Sequence, residues 1–178
     1  MIPTAKSTSS TNLQVQDTPN NWAFIDVQNL ISGVKENGWK IDWFKLREYL
    51  KIHHCVTRAF MFLGHLSRHE YLYRIMNKAN FSLEFRPVKL LKNGMVDGGN
   101  VDADLASFVM DFKYDYSKAI ILADDGDYYR TIRSLNMQNK LGCVLSPHSI
   151  NKTSQLIKSV VQRNQLISVH NLQKLIEK

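Results

Sequence analysis

The chain has 178 residues, 44% hydrophobic and 22% charged, with a formal net charge of +7 and a pI near 9.4. That length and balance suit one folded domain and exclude wholesale disorder, and no run approaches the ~18 apolar residues of a transmembrane helix. The positive balance favours a polyanionic partner, nucleic acid first.

Residues 1–21 are rich in Ser, Thr, Asn and Gln. They are expected to form a disordered tail, and they lack the apolar stretch of a secretory signal. A single domain is expected over residues 22–178. The run Trp22 to Val27 reads as a buried strand. Asp42 caps an expected helix from Trp43 to about His53. Val56 to Leu63 reads as a second strand, and Ser67 as the cap of a helix reaching Ala79. Phe81 to Leu91 reads as a third strand, with Pro87 marking an edge or an irregularity. Lys92 to Asn100 carries three glycines and reads as a loop. Val101 to Phe112 has helical spacing. Ala119 to Ala123 is apolar throughout, as a central parallel strand covered on both faces should be. A helix over Asp127 to Met137, a strand over Leu141 to Leu145 and a helix over Lys152 to Arg163 follow. Leu166 to Val169 and Leu172 to Ile176 close the chain as strand and helix. Repeated strand–helix alternation predicts an α/β fold with a mainly parallel central sheet. Cys55 and Cys143 fit no metal or disulfide spacing and read as reduced core residues of a cytoplasmic protein.

The acids carry the chemistry. Eight of the sixteen fall between Asp97 and Asp127, and all eight are Asp. In open α/β sheets, ligands bind beyond the carboxyl ends of the strands. Asp26 ends the first strand, and Asp124, Asp125 and Asp127 follow the fourth. Asp102 lies in the first turn of an expected helix. Two carboxylates about 5 Å apart repel by roughly 3 kcal/mol at an effective dielectric of ~20. Converging acids must therefore be protonated, spread apart or bridged by a cation. Asp oxygens suit Mg²⁺ or Mn²⁺ with waters left over, which is a means of activating water beside a phosphate.

Three segments carry a family resemblance. Ile25-Asp26-x-x-Asn29-Leu30, Val101-Asp102-x-x-Leu105 and Ala123-Asp124-Asp125-Gly126-Asp127-Tyr128 stand in order over Trp22 to Val169. The set resembles the NYN branch of the PIN-like nucleases, close to the LabA-like proteins. The resemblance implies a PIN-like three-layer α/β/α sandwich and a Mg²⁺- or Mn²⁺-dependent endoribonuclease. It implies Asp26, Asp102, Asp125 and Asp127 as catalytic metal ligands, with Asp124 as a further candidate. Asn29 would orient the phosphate or a water, and Ser154 matches a late Ser of the family. The chain departs from the family pattern at three places. Ala123-Asp124 replaces Ser-Gly, Gly99-Asn100 replaces Lys-Gly, and Asn164 stands where Asp is common.

The partner expected is RNA, single-stranded or structured, with no membrane and with a homodimer allowed. Arg86, Lys89 and Lys92 run up to the glycine loop as candidate phosphate contacts. Lys152 and Arg163, eleven apart on the expected helix, form a second stripe with Ser159 between them. The alternative to a nuclease is a PIN-like RNA-binding module with weak or no catalysis. A phosphatase of the haloacid-dehalogenase kind needs an acid at position 28, which is Gln. A receiver domain needs Lys after Leu145, where Ser146 and Pro147 stand.

Overall fold

The alternating apolar segments assemble into one sheet in a computed structural model that describes residues 18–90, 96–97 and 100–178. Its strands are β1 (Asn21–Asp26), β2 (Val56–Gly64), β3 (Ser82–Arg86), β6 (Ala119–Leu122), β7 (Leu141–Ser146) and β8 (Leu166–Ser168). Their order is β3-β2-β1-β6-β7-β8, and every pairing is parallel. Two short strands, β4 (Lys89–Leu90) and β5 (Val96–Asp97), pair antiparallel outside this sheet. The helices are α1 (Val27–Lys35), α2 (Trp43–His54), α3 (Glu70–Lys78), α4 (Asp102–Asp111), α5 (Tyr129–Met137), α6 (Gln155–Lys158) and α7 (Gln173–Ile176).

Strand side chains alternate between two cores, because successive residues point to opposite faces. Ala23 and Ile25 of β1 join Leu30, Leu46, Met76 and Ile176 from α1, α2, α3 and α7. Trp22 and Phe24 join Leu105, Ile132 and Ile157 from α4, α5 and α6. The sheet is thus covered on both faces, giving a three-layer α/β/α sandwich. This explains why β6 is buried at all four positions.

Several sequence expectations are corrected. Helix α1 was not foreseen. It starts directly after β1, capped by Asp26, so its apolar residues merge with the strand's run. The helix expected from Ser67 opens instead with a 3₁₀ turn at Ser67–His69 that has no side-chain cap. The third strand stops at Arg86, because Pro87 has no N–H to continue the ladder. The helix expected over Lys152–Arg163 shrinks to Gln155–Lys158, followed by a 3₁₀ turn at Arg163–Gln165. Its β-branched pair Val160-Val161 favours helix weakly. Lys152, Ser159 and Arg163 therefore share no helical stripe. Cys55 is exposed, not core. It closes α2 in the left-handed conformation, at φ 52°. Residues 1–17 of the tail expected over 1–21, and Lys92, lie outside the described residues, whereas Asn21 opens β1 and Asn20 bonds to Ser117 and Asp115. No helix among the described residues is long and apolar enough to cross a membrane.

Candidate active site

β1 and β6 are neighbours at the centre of the sheet, and the chain builds outward from them in opposite directions. This is a topological switch point, where open α/β sheets leave a crevice beyond the carboxyl edge. Ile25 pairs with Leu122, so Asp26 and the turn after β6 leave the sheet side by side.

Asp26 is 6% exposed and caps α1. Its Oδ1 accepts from the Asn29 N–H at 2.9 Å, and its Oδ2 accepts from the Tyr128 hydroxyl at 3.0 Å. Burial pushes the Asp26 carboxyl above its ordinary value; the two hydrogen bonds oppose this, and the Asp102 charge adds to it. Asp102 opens α4, and its N–H donates to Asn100 Oδ1 at 2.8 Å. Asp125 caps the 3₁₀ turn Gly126–Tyr128, accepting from the Asp127 N–H at 3.2 Å. The Asp125 and Asp102 charges raise the exposed Asp127 carboxyl. Asp102 of α4 thus acts on both Asp26 of β1 and Asp127 of the β6–α5 turn, and Asp125 acts on Asp127.

Like charges near one another shift in this direction. Among the described residues, no three His, Cys, Asp or Glu side chains are grouped to hold a metal ion as they lie. The donor set still fits Mg²⁺ or Mn²⁺. Mg²⁺ usually takes one or two carboxylates and keeps several waters, so it needs no cage of protein ligands.

Asp124 behaves differently from its neighbours. It is 6% exposed, and its carboxylate accepts from Ser146 Oγ at 2.6 Å and from the His148 N–H at 3.0 Å. Its own N–H donates to Asn29 Oδ1 at 3.1 Å, which ties the start of α1 to the β6 turn.

The NYN domain family matches residues 22–164. The chain belongs to that family. No curated protein matches it. A solved structure, a protein of unknown function, VPA0982, from Vibrio parahaemolyticus RIMD 2210633, is similar in fold. It superposes with a TM-score of 0.69 at 18% identity, covering 86% of this chain and 94% of that one. The NYN family is part of the PIN-like superfamily, so the sandwich is a nuclease-type fold.

The NYN domain places its basic residues unevenly. Arg86, at the carboxyl end of β3, pairs with Asp104 of α4 at 2.9 Å, two residues on from Asp102. Lys152 pairs with Glu36 at 2.6 Å and remains exposed. Ser154 caps α6 and lies against Gly126. Lys89 lies in β4, apart from the six-stranded sheet. Arg163 precedes β8, toward the amino edge of the sheet and away from the acids.

Sequence reading missed the bond that ties Tyr128 to the NYN site. Tyr128 is buried in the core, and its hydroxyl also bonds Asp26. An apolar cavity of about 800 Å³ lies between α1, α2 and α3, lined by Ile31, Trp39, Phe44 and Leu72. None of the site acids lines it.

Proposed function

We propose that this NYN domain is a Mg²⁺- or Mn²⁺-dependent endoribonuclease. The observation that carries the reading is that Asp26 and the turn holding Asp125 and Asp127 leave the sheet side by side at its switch point, with Asp102 raising both the Asp26 and the Asp127 carboxyls. These four would hold the ion. A bound divalent cation supplies a more acidic water and offsets charge on a phosphate.

The chain's own residues prepare the rest. Tyr128 and the Asn29 N–H hold the Asp26 carboxylate in one orientation. Arg86, Lys152 and Ser154 stand around the carboxyl edge, where a phosphodiester backbone would run. A water attacks phosphorus in line and the 3′-oxygen leaves, so the products carry a 5′-phosphate and a 3′-hydroxyl.

A second reading, an RNA-binding module without catalysis, is favoured by the lack of a three-ligand group among the described residues. Labelled single-stranded RNA incubated with the chain in Mn²⁺ or in EDTA separates the two. The nuclease reading expects Mn²⁺-dependent fragments bearing 5′-phosphates. Binding without fragments in either buffer supports the module.

A further inference from the structure

The segment from Ser146 to Ser154, between β7 and α6, is fastened from three sides. Asp124 forms its floor. Besides the Ser146 hydroxyl and the His148 N–H, the Asp124 carboxylate meets His148 Nδ1 at 3.0 Å. Ser146 Oγ also lies 2.7 Å from Thr153 Oγ1, closing the segment on itself. Helix α1 forms the second side. A Cβ built on Gly33 would fall 2.6 Å from the Pro147 backbone, so α1 and the segment meet this closely only because residue 33 has no side chain. Glu36, just past α1, is the third side: it holds Lys152 and lies 3.7 Å from His148 Nε2.

The segment ends beside the acids. The Ser154 N–H donates to the Asp124 carbonyl at 3.3 Å. The Ser154 hydroxyl lies 3.0 Å from where a Cβ on Gly126 would be, between Asp125 and Asp127.

We infer that Asp124 and Gly33 are positioning residues that hold Ser146–Ser154 as a fixed wall, setting Ser154 and Lys152 against the RNA backbone. The inference rests on the ribonuclease reading. Asp124 is a poor ion ligand because its buried oxygens are already occupied by protein donors. The Asp124 carboxylate meets Ser146 and His148, 22 and 24 residues later.

Two substitutions reach the wall by unrelated routes. Asp124→Asn removes the charge and, with its one remaining acceptor kept for the Ser146 hydroxyl and the His148 N–H, turns the oxygen that meets His148 Nδ1 into a donor. Gly33→Ala pushes the Pro147 backbone, its carbonyl included, without altering any side chain that hydrogen-bonds within the wall. Both are expected to raise KM for a single-stranded RNA oligomer about tenfold while kcat stays within about threefold, as loss of uniform substrate binding does. Asp124→Asn combined with Ser154→Ala should be no worse than the weaker binder of the two, because residues acting through one another are not additive. The Mn²⁺-induced rise in melting temperature should match wild type in both single variants. His148→Ala, a milder loosening, should shift KM in the same direction by less.

A Mn²⁺ shift lost in Asp124→Asn but kept in Gly33→Ala would make Asp124 a ligand and overturn the inference. So would unchanged KM in all three loosening variants of an active enzyme. Wild-type protein that neither binds nor cleaves RNA overturns the ribonuclease reading itself, a different result from either of these.

Discussion

The Tyr128 hydroxyl donates to Asp26 Oδ2 at 3.0 Å across 102 residues of sequence. Both side chains are almost fully buried. The bond joins the end of β1 to the turn after β6, the two strand ends that supply most of the acids. It keeps a desolvated carboxylate oriented and lowers a pKa that burial raises.

Removing that donor should therefore cost stability in a pH-dependent way. Tyr128→Phe leaves a buried carboxylate oxygen without its partner, a loss of about 1–3 kcal/mol at neutral pH. Urea unfolding near pH 7 and near pH 4 checks this. The deficit should be larger at the higher pH, where the ionised form of Asp26 is more populated. An equal deficit at both would mean that the hydroxyl contributes through packing alone.

Asp26 itself gives the opposite pH trend. Its folded-state pKa lies above the ordinary 3.8. Its contribution to stability is then full below that ordinary value and is lost as pH rises through the folded value. Asp26→Asn keeps the helix cap and removes the ionisation. In melts without divalent ions, the variant should gain on wild type as pH rises from about 4 to 7. A constant difference across that range would mean that Asp26 ionises freely.

Ion binding should appear as linkage. Mn²⁺ is expected to raise the wild-type melting temperature, because a ligand of the folded state alone stabilises it. The rise should shrink in Asp26→Asn. Equal rises in both proteins would place the ion elsewhere.

Much of this was legible in the sequence, and the failures have physical causes. β6 was readable because a strand buried on both faces needs an unbroken apolar run, and Ala119–Leu122 is one. The Asp42 cap was readable because capping is local: its carboxylate bonds the N–H groups of Phe44 and Lys45. Helix α1 was hidden because one residue, Asp26, serves as strand end, cap and site acid together. The Asp124 contacts with Ser146 and His148 were hidden because they join residues more than twenty apart, and no periodicity records such pairs. The basic stripe failed because two residues at helical spacing share a face only if a helix runs between them, and α6 ends at Lys158.

RNA affinity should fall with salt, by a slope of about 0.7 per phosphate neutralised on single strands. Lys152→Ala and Arg86→Ala are each expected to flatten the slope by up to that amount, similarly across sequences, because phosphate contacts position a strand without reading it. Arg163→Ala should leave the slope unchanged, since residue 163 precedes β8 on the far side of the sheet from the acids. A flattening by Arg163→Ala alone would move the RNA path to the amino edge.

The most direct measurement is single-turnover cleavage of RNA in Mn²⁺ by wild type and by Asp125→Asn, with metal-free melts of both. Asn still caps the turn at Gly126–Tyr128, so the fold should survive, and removing one charge from the crowded acids should leave stability equal or higher. The account predicts 5′-phosphate fragments from wild type and none from a variant at least as stable. Cleavage by Asp125→Asn at the wild-type rate would contradict it.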